Sequence, residues 1–247
     1  MAREKYSGSF VMQSTQVRVK DTIYTLWYCA TATSRNSDLL RLEAQALERG
    51  LILNVLGLEE TKPYHHTLKL YHQDIVSSSC PENDILIFTD AYDVILIDTA
   101  ESIIKKYLSF DSDIVFSAEV NCWPVESYSR PYPNATEAFP FLNSGGLIGK
   151  MGAFKECFSR NVYSMGYDDD QGYWTRIFLN NYGTAASMVK LDTKAELFFS
   201  LFRSNLNKSD DGVISVSATG TRPAFIHANG NKENFSMDLL SNWLLNK

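Results

Sequence analysis

Residues 84–93 read Asp-Ile-Leu-Ile-Phe-Thr-Asp-Ala-Tyr-Asp, and no other stretch of this 247-residue chain restricts its fold as tightly. A short continuous apolar run suits a strand buried on both faces, which arises where helices cover a largely parallel sheet. Asp90 and Asp93 follow that strand at once, three positions apart, so one tight turn can aim both carboxylates at a single cation. Hard oxygen ligands of this kind suit Mg²⁺ or Mn²⁺. Taken alone, the pair is equally well read as ordinary turn or helix-capping residues. A phosphatase of the halo-acid type needs its second aspartate two positions on, where this chain has Tyr92.

The flanking pattern agrees with a sheet covered by helices. Strands are expected at residues 23–30, 51–58, 84–88 and 113–117, with helices at 37–49, 64–76 and 98–108, the last opened by an Asp98/Glu101 capping box. Such alternation favours an α/β, Rossmann-like, mostly parallel sheet with helices on both faces, whose ligands bind beyond the carboxyl ends of strands. The second half is less regular: a turn-rich stretch at 121–140, helices near Met151 and Asp170, and a strand at 223–227. Residues 1–22 read as an N-terminal extension where disorder is expected, and 23–247 as one domain.

A formal net charge of −6 and scattered Lys and Arg leave no basic stripe for nucleic acid. A diphosphate remains acceptable to an acidic protein if a divalent cation stands between them. Cys29, Cys80, Cys122 and Cys157 are far apart and read as free thiols. The polar start and the lack of a membrane-length apolar run give a cytoplasmic reading with no membrane partner.

Other residues fit the same chemistry, each with a plainer alternative. His227 ends an apolar strand and offers a nitrogen ligand, tilting the metal toward Mn²⁺, though a lone histidine is more often structural. Asn143, Ser144 and Gly145 sit in Phe-Leu-Asn-Ser-Gly-Gly, either presenting free amides to sugar hydroxyls or forming a bulged strand. Asp168, Asp169 and Asp170 open a helix, where one aspartate satisfies the dipole and three suggest sugar binding or proton transfer. Trp123 stacks on a sugar or is buried. His65, His66 and His72 read as surface residues, and the His72-x-Asp74 spacing of an iron dioxygenase falls in a helix, outside the barrel it would need.

In chain order, Phe88-Thr-Asp90-Ala-Tyr92-Asp93, Phe116-Ser-Ala-Glu119, Cys122-Trp123-Pro124, residues 141–146, Asp168 to Gln171, Leu191-Asp192-Thr-Lys194, His227-Ala-Asn229-Gly230 and Leu240-Ser-Asn242-Trp243 resemble the glycosyltransferase module of procollagen lysyl hydroxylases. The resemblance implies a GT-A fold, with Asp90, Asp93 and His227 as Mn²⁺ ligands and Tyr92 stacked on uracil. It also implies Thr31, Lys69, Asn229 and Gly230 at UDP, and Trp123, Asp169 and Asp170 at the sugar and acceptor. The implied reaction moves glucose from UDP-glucose to galactosylhydroxylysine of collagen or a collagen-like protein, with retention. Asn231-Lys232 replaces the usual Pro-Thr-Lys, and a stand-alone enzyme of microbial or viral source, open to homodimer formation, is expected. Alternatives are a UDP-galactose-using transferase with another acceptor, a non-catalytic glycan-binding protein and a metal-dependent phosphohydrolase.

Overall fold

The apolar run at residues 84–90 lies in the middle of a seven-stranded sheet. The computed structural model describes residues 11–58, 66–124, 126–129, 131–133, 136–163, 169–182, 188–230 and 236–245. In chain order the elements are β1 (Thr15–Val19), β2 (Thr22–Thr31), α1 (Ser37–Glu48), β3 (Leu53–Leu56), α2 (His66–Ser79), β4 (Ile85–Asp90), β5 (Val94–Leu96), α3 (Ala100–Ser109) and β6 (Ile114–Glu119). They continue with β7 (Phe141–Lys150), α4 (Met151–Arg160), α5 (Asp170–Asn181), β8 (Val189–Leu191), β9 (Phe198–Ser200), β10 (Leu206–Lys208), β11 (Ile214–Val216), β12 (Phe225–His227) and α6 (Met237–Leu245).

The main sheet runs β1-β2-β4-β7-β6-β8, with β3 also paired to β2. Strands β3, β2 and β4 are parallel neighbours, as are β6 and β8. Between them β7 runs antiparallel to both β4 and β6, so the mostly parallel expectation holds with a reversed strand in its centre. A smaller sheet, β5-β12-β9, brings the end of β12 beside the turn that follows β4.

Side chains of successive strand residues point to opposite faces, and the two main cores follow that rule. Leu86, Phe88, Phe116 and Leu147 face a core shared with α2, α4 and α5 through Leu70, Phe154 and Trp174. Ile85, Ile87, Val115 and Ile148 face the other, closed by α1 and α3 through Leu42, Ile103 and Ile104. Helices therefore cover both faces. Asp90 shares the parity of Leu86 and Phe88, which points it toward α2 and α5.

Several expectations are corrected. Residues 15–19, read as part of an extension, form β1 and pair with β2 as a hairpin, because Val17 and Val19 can bury against α3. The N-cap of α3 is Thr99, whose hydroxyl accepts from the Ser102 amide; Asp98 instead binds the Thr99 amide and Lys106. His72, read as a surface residue, is fully buried on the inner face of α2 and hydrogen-bonds Thr31. Strands β5 and β8 to β11 have three residues each, too few for a period to register. All four cysteines are free thiols, and no helix among the described residues is long and apolar enough to cross a membrane.

Candidate metal centre

Asp90 ends β4, Asp93 closes the following turn and His227 ends β12, so two distant chain segments converge at one point. One ligand atom from each lies within 4.8 Å of the others. His227 Nε2 is 3.3 Å from Asp90 Oδ2 and 3.5 Å from Asp93 Oδ1, while its Nδ1 lies 3.2 Å from Asn143 Oδ1. Two carboxylate oxygens and an imidazole nitrogen make a mixed donor set that fits Mn²⁺. Burial alone would lower the His227 pKa, but the carboxylates of Asp93 and Asp90 outweigh it and raise the imidazole to about 10. Burial pushes Asp90 up, yet Lys69 and His227 more than offset this and hold its carboxyl well below the usual carboxylate range. The site thus favours positive charge at the point where a cation would sit.

Gly145 is what lets the histidine in. A Cβ there would fall 2.1 Å from His227 Cε1, and one on Gly146 would fall 2.5 Å from Phe198 Cδ1. Residues 141–150 are the bulged-strand alternative: the register with β6 jumps from Phe116↔Leu147 to Ser117↔Asn143. The amides expected to meet sugar hydroxyls are engaged within the protein. Gly145 N–H donates to Asn143 Oδ1 at 2.9 Å and Ser144 N–H to Gln171 Oε1 at 3.1 Å. A bulge removes these groups from ladder pairing, and nearby side-chain oxygens satisfy them instead.

Lys69, expected at the nucleotide, is buried at 2% exposure and its ammonium is committed inside the protein. It donates to Asp90 Oδ1 at 2.6 Å and the Ser144 carbonyl at 2.7 Å, and lies 3.2 Å from Asp170 Oδ2. A buried ammonium is tolerable only when paired and hydrogen-bonded, and these oxygens meet that need. Lys69 therefore links Asp90 to the first turn of α5. There the acidic run divides: Asp169 is the N-cap, accepting from Gly172 N–H at 2.9 Å, and Asp170 is buried against Lys69. Asp168 and Lys232 lie outside the described residues, as does His65.

The remaining residues frame the same region. Tyr92 accepts the amides of Thr33 and Ser34 at 3.1 and 3.0 Å and donates to Ser34 O, fixing its ring against the loop after β2. Thr31 pairs in register with Asp90, and its hydroxyl lies 2.9 Å from His72 Nδ1. Burial pushes His72 down to about 4. Gly230 has φ +73°, and a Cβ would also press on Phe202 at 2.8 Å, so glycine is required twice over. Trp123 is exposed at 59%, with its carbonyl held by Gln171 Nε2 at 3.0 Å.

In the sequence Glu119 and Gln171 stand only as members of longer motifs, and the structure gives both a place. Buried Glu119 accepts from Asn143, Gln171 and Asn229 at 2.8, 3.0 and 3.1 Å. Burial raises its pKa, and these donors act in the opposite direction. The available signal was a carboxylate directly ending an apolar strand, as Asp90 does.

Residues 23–247 match the family model described as PLOD GT domain. A Drosophila melanogaster procollagen-lysine,2-oxoglutarate 5-dioxygenase is 33% identical over 177 residues, which is 66% of this chain and 23% of that protein. The Rattus norvegicus multifunctional procollagen lysine hydroxylase and glycosyltransferase LH3 is 33% identical over 178 residues, 67% of this chain and 23% of that one. The chain thus spans about a quarter of the length of these relatives. Among solved structures, a glycosyltransferase involved in the glycosylation of the major capsid of PBCV-1 is similar in fold, with a TM-score of 0.51 at 13% identity over 89% of this chain and 98% of that one. With the match running from residue 23 to residue 247, the chain belongs to the PLOD GT domain family and is a glycosyltransferase of GT-A fold.

Proposed function

We propose that this protein transfers glucose from UDP-glucose to galactosylhydroxylysine of collagen or a collagen-like protein, with retention and with Mn²⁺ as cofactor. The observation that carries the reading is the convergence of Asp90, Asp93 and His227 beyond the carboxyl ends of β4 and β12. The lysyl hydroxylase relatives, one named as a glycosyltransferase as well, support the acceptor class. A Mn²⁺ held by those three side chains would supply positive charge to the departing diphosphate, where the transition state carries more negative charge than the ground state.

The chain's own residues bind and orient. Tyr92, pinned by its hydroxyl, presents its ring to uracil, with Thr31, Asn229 and Gly230 along the nucleotide. Lys69 acts through Asp90, holding that carboxylate charged and in place. Asp169, Asp170 and Trp123 serve the sugar and acceptor side, and Asn143, Ser144 and Gly145 shape its floor. The free thiols agree with a reducing, cytoplasmic setting.

The test is incubation with Mn²⁺, a galactosylhydroxylysine peptide and either UDP-glucose or UDP-galactose, reading UDP release and peptide mass. One added hexose from UDP-glucose, lost in Asp90→Ala and Asp93→Ala, is expected. Hexose from UDP-galactose alone would move the donor assignment. No mass gain with either sugar, or inorganic phosphate as product, would overturn the reading.

A further inference from the structure

Glu119 is an acceptor-only group met by three side-chain amides, and this arrangement has a directional consequence. Each amide is bracketed between the carboxylate and a main-chain N–H, which can only donate. Asn143 turns its NH₂ to Glu119 Oε1 and its carbonyl to Gly145 N–H. Gln171 turns its NH₂ to Glu119 Oε1 and its carbonyl to Ser144 N–H. Asn229 turns its NH₂ to Glu119 Oε2 and its carbonyl to Phe202 N–H. None of the three can be reversed without placing donor against donor.

The orientation of Asn143 reaches His227. Its Oδ1 faces His227 Nδ1 at 3.2 Å, so that nitrogen must be the donor. In the neutral ring that a cation requires, Nε2, the nitrogen turned toward Asp90 and Asp93, is then the one that offers its lone pair. We propose that Glu119 is a positioning residue for the metal centre: it fixes the orientation of Asn143, which in turn fixes the ring and tautomer of His227. Groups behind a metal-ligating histidine commonly set its ring orientation and basicity in this way. Here an amide stands between the carboxylate and the imidazole. The same carboxylate joins β6 to β7, α5 and the segment after β12, so the relay is held from several sides. The inference rests on the reading of Asp90, Asp93 and His227 as a cation site.

Glu119→Gln is the sharpest test, because it preserves shape while placing an NH₂ against at least one of the three amide donors. Mn²⁺ binding is measured without nucleotide or acceptor, from the electron paramagnetic resonance signal of the free ion, in wild type, E119Q and D93N, with a thermal melt of each. Wild type should bind Mn²⁺, D93N should lose it, and E119Q should bind about 10- to 100-fold more weakly while melting cooperatively. Turnover of E119Q should recover as Mn²⁺ is raised to saturation, which a general structural defect would not allow. Wild-type Mn²⁺ affinity in E119Q, or turnover that stays low at saturating Mn²⁺, would overturn the positioning role while leaving the metal centre standing. Failure of wild type itself to bind Mn²⁺ would overturn the metal centre, and this proposal with it. If E119Q does not melt cooperatively, Glu119→Asp takes its place, since it keeps the charge but withdraws the oxygens from Asn143; wild-type Mn²⁺ affinity there would be equally fatal.

Discussion

Two buried carboxylates stand at the ends of neighbouring parallel strands: Glu119 ends β6, and Asp192 follows β8. Their surroundings differ in kind. Asp192 accepts the main-chain amides of Glu196, Leu197 and Phe198 at 2.8, 2.7 and 2.8 Å, all within six residues of itself. Glu119 accepts side-chain amides from residues 24, 52 and 110 positions away. Burial pushes both carboxyls up, Asp192 to about 6. A carboxylate satisfied by its own local backbone holds a turn, and that turn delivers β9 to the small sheet carrying His227. One satisfied by distant side chains orients those side chains, and through them a site.

Asp192→Ala should bring the largest change in stability. It strips the acceptor from two buried N–H groups and a third that is part-buried, at about 1–3 kcal/mol for each buried group left unpaired. A fall of at least about 3 kcal/mol in urea unfolding is expected, with transfer per folded molecule nearly unchanged. Wild-type stability, or a loss confined to turnover, would show that Asp192 does not hold the turn.

His72 extends it to a second group satisfied by a distant side chain. Its folded-state pKa, lowered to about 4, lies below the ordinary histidine value of about 6.5. Between those values the unfolded chain takes up a proton that the folded protein refuses. Stability should therefore fall as pH drops from about 6.5 to about 4, by up to roughly 3 kcal/mol from this group. His72→Gln should flatten that dependence, as read from urea midpoints at pH 7 and pH 5.

The adjacent glycines sharpen the contrast at smaller scale. Gly145→Ala and Gly146→Ala should each cost about 1–3 kcal/mol through overpacking. Gly145→Ala must also displace His227 and weaken Mn²⁺ binding, while Gly146→Ala meets Phe198 and should leave Mn²⁺ affinity alone. Equal Mn²⁺ affinity in the two variants would contradict the assignment. The smallest stability effect belongs to Trp123→Ala, within about 0.5 kcal/mol because the ring is exposed. Its transfer rate should nevertheless drop if the indole meets the sugar.

Long, periodic elements were legible. The strand around residue 86, the helix at 37–49 and the helix opening at Asp170 emerge where hydrophobic spacing and caps place them. The residues that meet at the candidate metal centre could also be named, since each carries its chemistry in its side chain. Whether an ionisable group lies at a surface or beneath it was not legible. Lys69 and His72 occupy one helix of mixed character, and its inward face depends on the strands against which it packs. The same holds for residues 143–146, where a glycine pair permits a ligand or a neighbouring ring, and here His227 and Phe198 fill the space.

The alternation of buried strands and covering helices is written in the residue order, as are the donor atoms that Asp90, Asp93 and His227 have to offer. Packing of the folded chain is what assigns Lys69 to Asp90 and Asp170 and sets Glu119 behind Asn143. Hydrophobic periodicity and ligand chemistry are local properties of a chain. Partnership between residues 21 to 110 positions apart is set by sheet order, which no local pattern encodes.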